Sequence, residues 1–124
     1  MAKFRILLVE DHAEVREITS ELLRRYGYEV IQAATGGDAI KLAKAHQVDA
    51  VVIDLGLPDM NGREVAASLK HLPIAILTGD PSDVVVPEAA VILQKPLLPG
   101  ELVEALQTLV AVSKSGNPPE SSLG

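Results

Sequence analysis

Apolar residues alternate along this chain between runs of strand length and helical spacings. Phe4 to Val9 (Phe-Arg-Ile-Leu-Leu-Val) reads as a short apolar strand. From Ala13 to Tyr26 the rhythm changes. Val15, Ile18, Leu22, Leu23 and Tyr26 recur at helical spacing, which predicts one apolar face turned inward. Gly27 stands where a helix C-terminus belongs. Glu29 to Ala33 is a second strand candidate. Gly36-Gly37 opens a short helix, with Ala39, Ile40 and Ala43 on its inner face and Asp38 near its positive end. Val48 to Asp54 holds a continuous apolar run that ends in a carboxylate, as in a parallel strand buried on both faces. Leu55 to Asn61 is a loop, with Pro58, Asp59 and Asn61 as turn residues. Gly62 to Lys70 reads as a short helix, Pro73 to Thr78 as a fourth strand and Ala90 to Gln94 as a fifth. Pro99 occupies a first helical position. Leu102, Val103, Leu106, Leu109 and Val110 follow at helical spacing.

Strands that alternate with helices build βαβ units and a parallel sheet. The expected fold is α/β, a flavodoxin-like doubly wound sheet of five strands in the order 2-1-3-4-5. Ligand sites in such folds lie beyond the carboxyl ends of the strands. One helix is expected to be shortened or absent. The segment Gly79 to Ala89, where the fourth helix belongs, holds Pro81, Pro87 and a Val-Val-Val run. Proline inside a helix costs about 3 kcal/mol, and β-branched residues do not favour helix. The link Lys70-His71-Leu72-Pro73 is short, so the third helix is expected to be clipped as well. Residues 113–124 are polar with two prolines, and read as a flexible tail or linker stub beside a domain of 1–112.

A chain of 124 residues fits one domain, and 48% hydrophobic with 23% charged residues is an ordinary globular balance. Cysteine is absent, which removes disulfides and thiolate metal sites. The 17 acidic against 11 basic side chains give a formal charge of −6. Duplex nucleic acid calls for a basic face, so no direct nucleic-acid partner is expected. No apolar run approaches the roughly 18 residues of a membrane span, and Met1 to Arg5 leads straight into a strand without a signal-like segment. A cytoplasmic location is expected.

The polar residues at the predicted strand ends carry the chemistry. Glu10 and Asp11 follow the first strand, Asp54 ends the third, Thr78 ends the fourth and Lys95 follows the fifth. Three gathered carboxylates repel unless a cation joins them. Oxygen ligands of this kind suit a hard ion, Mg²⁺ first and Mn²⁺ second. With the Lys95 ammonium opposite, the rim fits an incoming phosphoryl group. Asp54 serves as nucleophile, and Lys95 and the Thr78 hydroxyl meet the phosphoryl oxygens.

Together these motifs resemble the receiver domains of two-component response regulators, which share the fold of the chemotaxis response regulator. The resemblance rests on Val9-Glu10-Asp11, Asp54-Leu55-Gly56-Leu57-Pro58 with Asn61-Gly62, Thr78-Gly79 and Lys95-Pro96, and covers about residues 3 to 112. It implies that Asp54 is the phosphoacceptor. Asp11 is then a metal ligand assisted by Glu10, and Gly56 offers its main-chain carbonyl to the metal. Lys95 contacts the phosphoryl group, and its bond to Pro96 is cis. The implied partner is a histidine kinase or phosphotransfer protein, and a larger multidomain protein such as a hybrid kinase is a compatible setting. The domain catalyses its own phosphorylation and dephosphorylation, so it counts as a signalling switch rather than an enzyme. The family usually carries an aromatic switch residue where this chain has Ile92, so the usual readout is not expected.

Taken singly, each residue has a plainer role. Glu10 and Asp11 could favour the following helix start through its dipole, Asp54 could serve a turn, and Lys95 could be solvated. His12 reads as a solvated helix start beside the acidic pair, His46 and His71 as helix-end residues, and Tyr26 and Tyr28 as packing residues. It is the joint placement at strand ends that favours chemistry. A phosphorylation-independent interaction module of the same fold is the main alternative. A phosphohydrolase would need a water-activating base that no histidine supplies. A flavin-binding flavodoxin is disfavoured by Glu10-Asp11 in the phosphate-cradle position, and a P-loop motif is absent.

Overall fold

The computed structural model describes residues 3–79, 86–95 and 98–115. Five strands, β1 (Arg5–Val9), β2 (Glu29–Ala33), β3 (Ala50–Asp54), β4 (Ile74–Thr78) and β5 (Val91–Gln94), form one parallel sheet in the order β2-β1-β3-β4-β5. Among the described residues four helices accompany them: α1 (Ala13–Arg25), α2 (Gly36–Ala45), α3 (Gly62–Ser68) and α4 (Pro99–Ser115). Every residue of β3 and β4 is buried, as the unbroken apolar runs require of central strands covered on both faces. Alternate residues serve opposite cores. Leu7, Val9, Val51, Ile53, Ile74 and Ile76 pack with Val65 of α3, Leu69 at its C-cap and Ala39 of α2. Ile6, Leu8, Val52 and Leu77 pack with Leu23 of α1 and with Leu102, Leu106 and Leu109 of α4.

The register matters for the site. Asp54 pairs with Leu77, and Thr78 pairs with Gln94, so the last residues of β3, β4 and β5 reach one rim together. Lys95 continues that rim, its amide donating to the Thr78 carbonyl at 2.8 Å.

The inner face of α1 differs from expectation. Leu23 is wholly buried and Leu22 packs beside it, as expected, but Val15, Ile18 and Tyr26 are 45%, 68% and 54% exposed and Ser20 is wholly buried in their place. The apolar spacing is helical, but the helix meets the sheet along the Ser20–Leu23 side and turns the Val15–Ile18 stripe to solvent. Tyr26 is therefore not a packing residue, while Tyr28 sets its ring edge-on against Phe4 at 6.0 Å. The C-terminus of α1 follows the sequence closely. Gly27 takes φ 92°, its amide donates to Arg24, and Tyr28 donates to the Leu23 carbonyl, closing a Schellman turn.

Among the described residues no helix lies between β4 and β5. Residues 80–85 fall outside them, and Val86 to Ala90 form a turn whose Val86 side chain is buried against the β3–β4 face. Ile92, on the edge strand, is 38% exposed. Pro96, expected to follow a cis bond, lies outside the described residues. α4 runs to Ser115, so Ser113 to Ser115 belong to the helix rather than to the expected tail, and 116–124 lie outside the described residues. No helix among the described residues is long and apolar enough to cross a membrane.

Candidate functional site

Each functional side chain is presented by a strand end, and local hydrogen bonds decide how it points. Glu10, only 1% exposed, leaves β1 with its amide bonded to the Ala33 carbonyl at 3.0 Å. Its carboxylate turns back, and Oε2 accepts the His12 amide at 3.2 Å. His12 is the N-cap of α1, with an exposed ring whose Nδ1 stands 3.5 Å from Asp11 Oδ1. Asp54 is 6% exposed at the end of β3, and its Oδ1 accepts the Gly56 amide at 3.1 Å. Thr78 is buried at the end of β4.

Lys95 ties these carboxylates together. Its Nζ lies 2.9 Å from Asp54 Oδ2 and 3.3 Å from Glu10 Oε1. The repulsion expected among gathered carboxylates is thus relieved in part by the protein's own ammonium. Burial pushes Asp54 up, but Lys95, the Gly56 amide and Glu10 outweigh it and hold the carboxyl below its ordinary range. Burial also pushes Glu10 up, with Asp54 adding to it, and the His12 amide and Lys95 offset only part of that rise. Burial alone would lower Lys95, yet Asp54 and Glu10 raise it. The nucleophile candidate is therefore kept ionised and Lys95 charged, while of the two carboxyls on Lys95 it is Glu10 that takes up a proton more readily.

The acidic loop fits a cation. Asp11 Oδ1 is shielded from solvent and accepts no hydrogen bond. Donor atoms of Glu10, Asp11 and His12 all lie within 4.8 Å of one another. Asp54, expected among the ligands, is not in that group and is engaged by Lys95 and Gly56. A sheltered carboxylate oxygen that accepts no hydrogen bond, beside a second carboxylate, is what a hard ion satisfies. Glu10 and Asp11 are the carboxylates of that group.

Two residues join the site without a sequence expectation for that role. Arg16, on the first turns of α1, donates from Nη1 to the Glu10 carbonyl at 2.9 Å and from Nε to Gln32 Oε1 at 3.1 Å, and so holds the acidic loop. A basic residue one turn into the helix after an acidic pair is the only signal the sequence offers. Asp59, read as a turn residue, bonds the Gly36 amide at 2.8 Å and the Gly37 amide at 2.9 Å. Ile92 lies on the β5 edge, in register with Ile76, and offers an aliphatic side chain at the expected switch position.

Known proteins place this geometry. A family model for the response regulator receiver domain matches residues 6–107. Among curated relatives, the CAI-1 autoinducer sensor kinase/phosphatase CqsS of Vibrio cholerae is 35% identical over 85 residues, which are 63% of this chain and 12% of that protein. The transcriptional regulatory protein PdtaR of Mycobacterium tuberculosis is 38% identical over 78 residues, 60% of this chain and 38% of its own. The chain thus spans well under half the length of these two relatives. Among solved structures, the chemotaxis protein CheY4 of Vibrio cholerae superposes with a TM-score of 0.79 at 31% identity, covering 87% of this chain and 99% of that one. The response regulator TrrA of Thermotoga maritima, solved in complex with Mg²⁺-BeF, also gives 0.79 at 31% identity, covering 85% and 97%. With the fold, the strand-end rim and the family match in agreement, this chain belongs to the response regulator receiver domains, the signalling switches of two-component systems.

Proposed function

We propose that this domain accepts a phosphoryl group on Asp54 from a phosphohistidine of a histidine kinase or phosphotransfer protein. The observation that carries the reading is the buried Asp54 carboxylate, ion-paired to Lys95 at 2.9 Å, on the same rim as the Glu10–Asp11 pair, where Asp11 Oδ1 accepts no hydrogen bond. Lys95 keeps Asp54 ionised and therefore nucleophilic. An Asp54 oxygen forms the new bond to phosphorus as the phosphorus–nitrogen bond of the donor breaks, and the imidazole nitrogen retains the electron pair. The Lys95 ammonium then meets the phosphoryl oxygens that replace its contact with the bare carboxylate. The Thr78 hydroxyl donates to one of them.

Glu10, Asp11, Asp54 and the Gly56 main-chain carbonyl would hold Mg²⁺, or Mn²⁺ in its place. Bound there, the ion offsets charge on the phosphoryl oxygens. Attack of water on the aspartyl phosphate later restores Asp54, so the domain catalyses both its charging and its reset. The relative named as a sensor kinase/phosphatase supports a two-component partner, and the proposal places the domain in the cytoplasm. The relative solved with Mg²⁺-BeF supports the choice of ion. The expected domain of residues 1–112, followed by a tail or linker stub, is part of this proposal, with α4 carrying the domain end on to Ser115.

Intact mass spectrometry after incubation with a small phosphodonor and Mg²⁺ tests the proposal. The parent protein gains one phosphoryl group, and neither Asp54→Ala nor a chelator-treated sample does. No gain in the parent refutes it. The exposed Ile92 favours one rival, an interaction module that works without phosphorylation. Partner binding that survives Asp54→Ala would decide for that rival.

A further inference from the structure

The loop Leu55 to Asn61 carries Gly56 and joins the nucleophile strand to α3, so whatever holds it decides the geometry of the site. Its polar tether is Asp59. One carboxylate oxygen accepts the Gly36 amide at 2.8 Å and the other accepts the Gly37 amide at 2.9 Å. These are the first two amides of α2, which have no partner within the helix. The Thr35 hydroxyl takes the third, from Asp38, at 3.1 Å. The start of α2 is therefore completed by a carboxylate from a loop distant in sequence. Its amides hold Asp59 below the ordinary carboxyl range.

Packing around this contact is close. A Cβ at Gly36 would collide with Met60 and come within 2.8 Å of Val65 Cγ2, so the chain after Asp59 lies directly over the helix start. At the other end of the loop, a Cβ at Gly62 would stand 2.8 Å from Leu55 Cα and 3.0 Å from the Asp54 carbonyl. Asn61 caps α3 by accepting the Arg63 amide at 2.9 Å. Leu55, Leu57 and Met60 pack against the core and anchor the loop independently of charge. Losing Asp59 thus leaves the fold in place and frees only the main chain between these anchors.

We propose that Asp59 is a positioning residue, whose two-pronged bond to the Gly36 and Gly37 amides holds the Gly56 main chain beside Asp54 in the arrangement that takes the cation. The inference rests on the function proposed above. Asp59 does not touch the reacting group. It acts on the supports of the ligands, as residues behind a metal site do.

The test is a titration of the full chain with Mg²⁺ alone, followed by calorimetry, for the parent, Asp59→Asn and Asp59→Ala. Loss of such a support weakens metal binding by about 10-fold, which is the expectation for Asp59→Ala. Asp59→Asn, which keeps a single acceptor oxygen, falls between. Phosphorylation of Asp59→Ala by a small phosphodonor slows at limiting Mg²⁺ and recovers when Mg²⁺ is raised. In the same variant the Gly36 and Gly37 amides exchange hydrogen faster. Unchanged Mg²⁺ affinity in Asp59→Ala overturns the inference alone, as does a loss that neither Asn nor excess Mg²⁺ softens. A parent protein that binds no Mg²⁺ overturns the proposed function, and this inference falls with it.

Discussion

Replacing Lys95 by Met removes one ammonium and leaves two sheltered carboxylates facing each other. Coulomb's law at an effective dielectric of about 20 gives about 5–6 kcal/mol of attraction for each contact before desolvation is counted, at the observed 2.9 Å to Asp54 and 3.3 Å to Glu10. Removing one partner of a buried pair costs about 3–5 kcal/mol net. The Lys95 side chain is 32% exposed, and Glu10 can relieve the repulsion by taking up a proton. The expected loss is therefore about 2–4 kcal/mol at neutral pH, a fall of roughly 8–16 °C in the unfolding midpoint.

The loss has a signed pH dependence. Without Lys95, burial and mutual repulsion raise the folded-state pKa of the carboxyl pair above its unfolded value. A raised carboxyl favours the fold while protonated. The deficit is thus absent below the unfolded pKa and grows as pH rises through the folded one. Thermal unfolding followed by circular dichroism, at several values from pH 5 to pH 8, reads it directly. Mg²⁺ supplies a replacement cation and narrows the gap between variant and parent. A deficit under about 1 kcal/mol that changes with neither pH nor Mg²⁺ refutes the view that Lys95 neutralises the pair, since exposed ion pairs contribute no more than that.

Other expectations can be checked with the same measurements. Gly27→Ala meets no neighbouring atom but must hold φ 92°, so it loses about 1–2 kcal/mol in urea unfolding through backbone strain alone. Gly62→Ala presses on Leu55 and the Asp54 carbonyl, loses about 1–3 kcal/mol by overpacking, and lowers the phosphoryl gain seen by mass. Arg16→Ala releases the Glu10 carbonyl and weakens Mg²⁺ binding, whereas Arg16→Lys, able to reach one of the two partners, loses less. In the parent, the lowered Asp54 contributes stability that is present above its unfolded value, near 3.8, and is lost as pH falls through the folded one, so acid unfolding of Asp54→Asn is less steep.

How much of this was legible in the chain differs from element to element. The runs Phe4–Val9, Val48–Asp54 and Pro73–Thr78 announce buried parallel strands, because only a strand covered on both faces can be apolar without alternation. Once the strands are placed, Glu10, Asp54, Thr78 and Lys95 must share a rim, because parallel strands all end on the same side. Gly27 closes α1 as it should, since its backbone conformation is a local matter.

The orientation of α1 could not be read in the same way. Period alone groups Val15, Ile18 and Tyr26 on a stripe, but docking against β1 and β2 chooses which side of the helix meets the sheet, and it chose Ser20 and Leu23. The same holds for the contacts that shape the site. Lys95 reaches Glu10 across the sheet, Arg16 grips the Glu10 carbonyl, and Asp59 completes the start of α2. Each is a bond between polar groups that any surface residue of its type could make with water instead. Residue order sets the strands, their ends and the local turns. Which of these polar groups meet is set only when the sheet and helices pack, because that packing brings separate stretches of chain to within 3 Å or so.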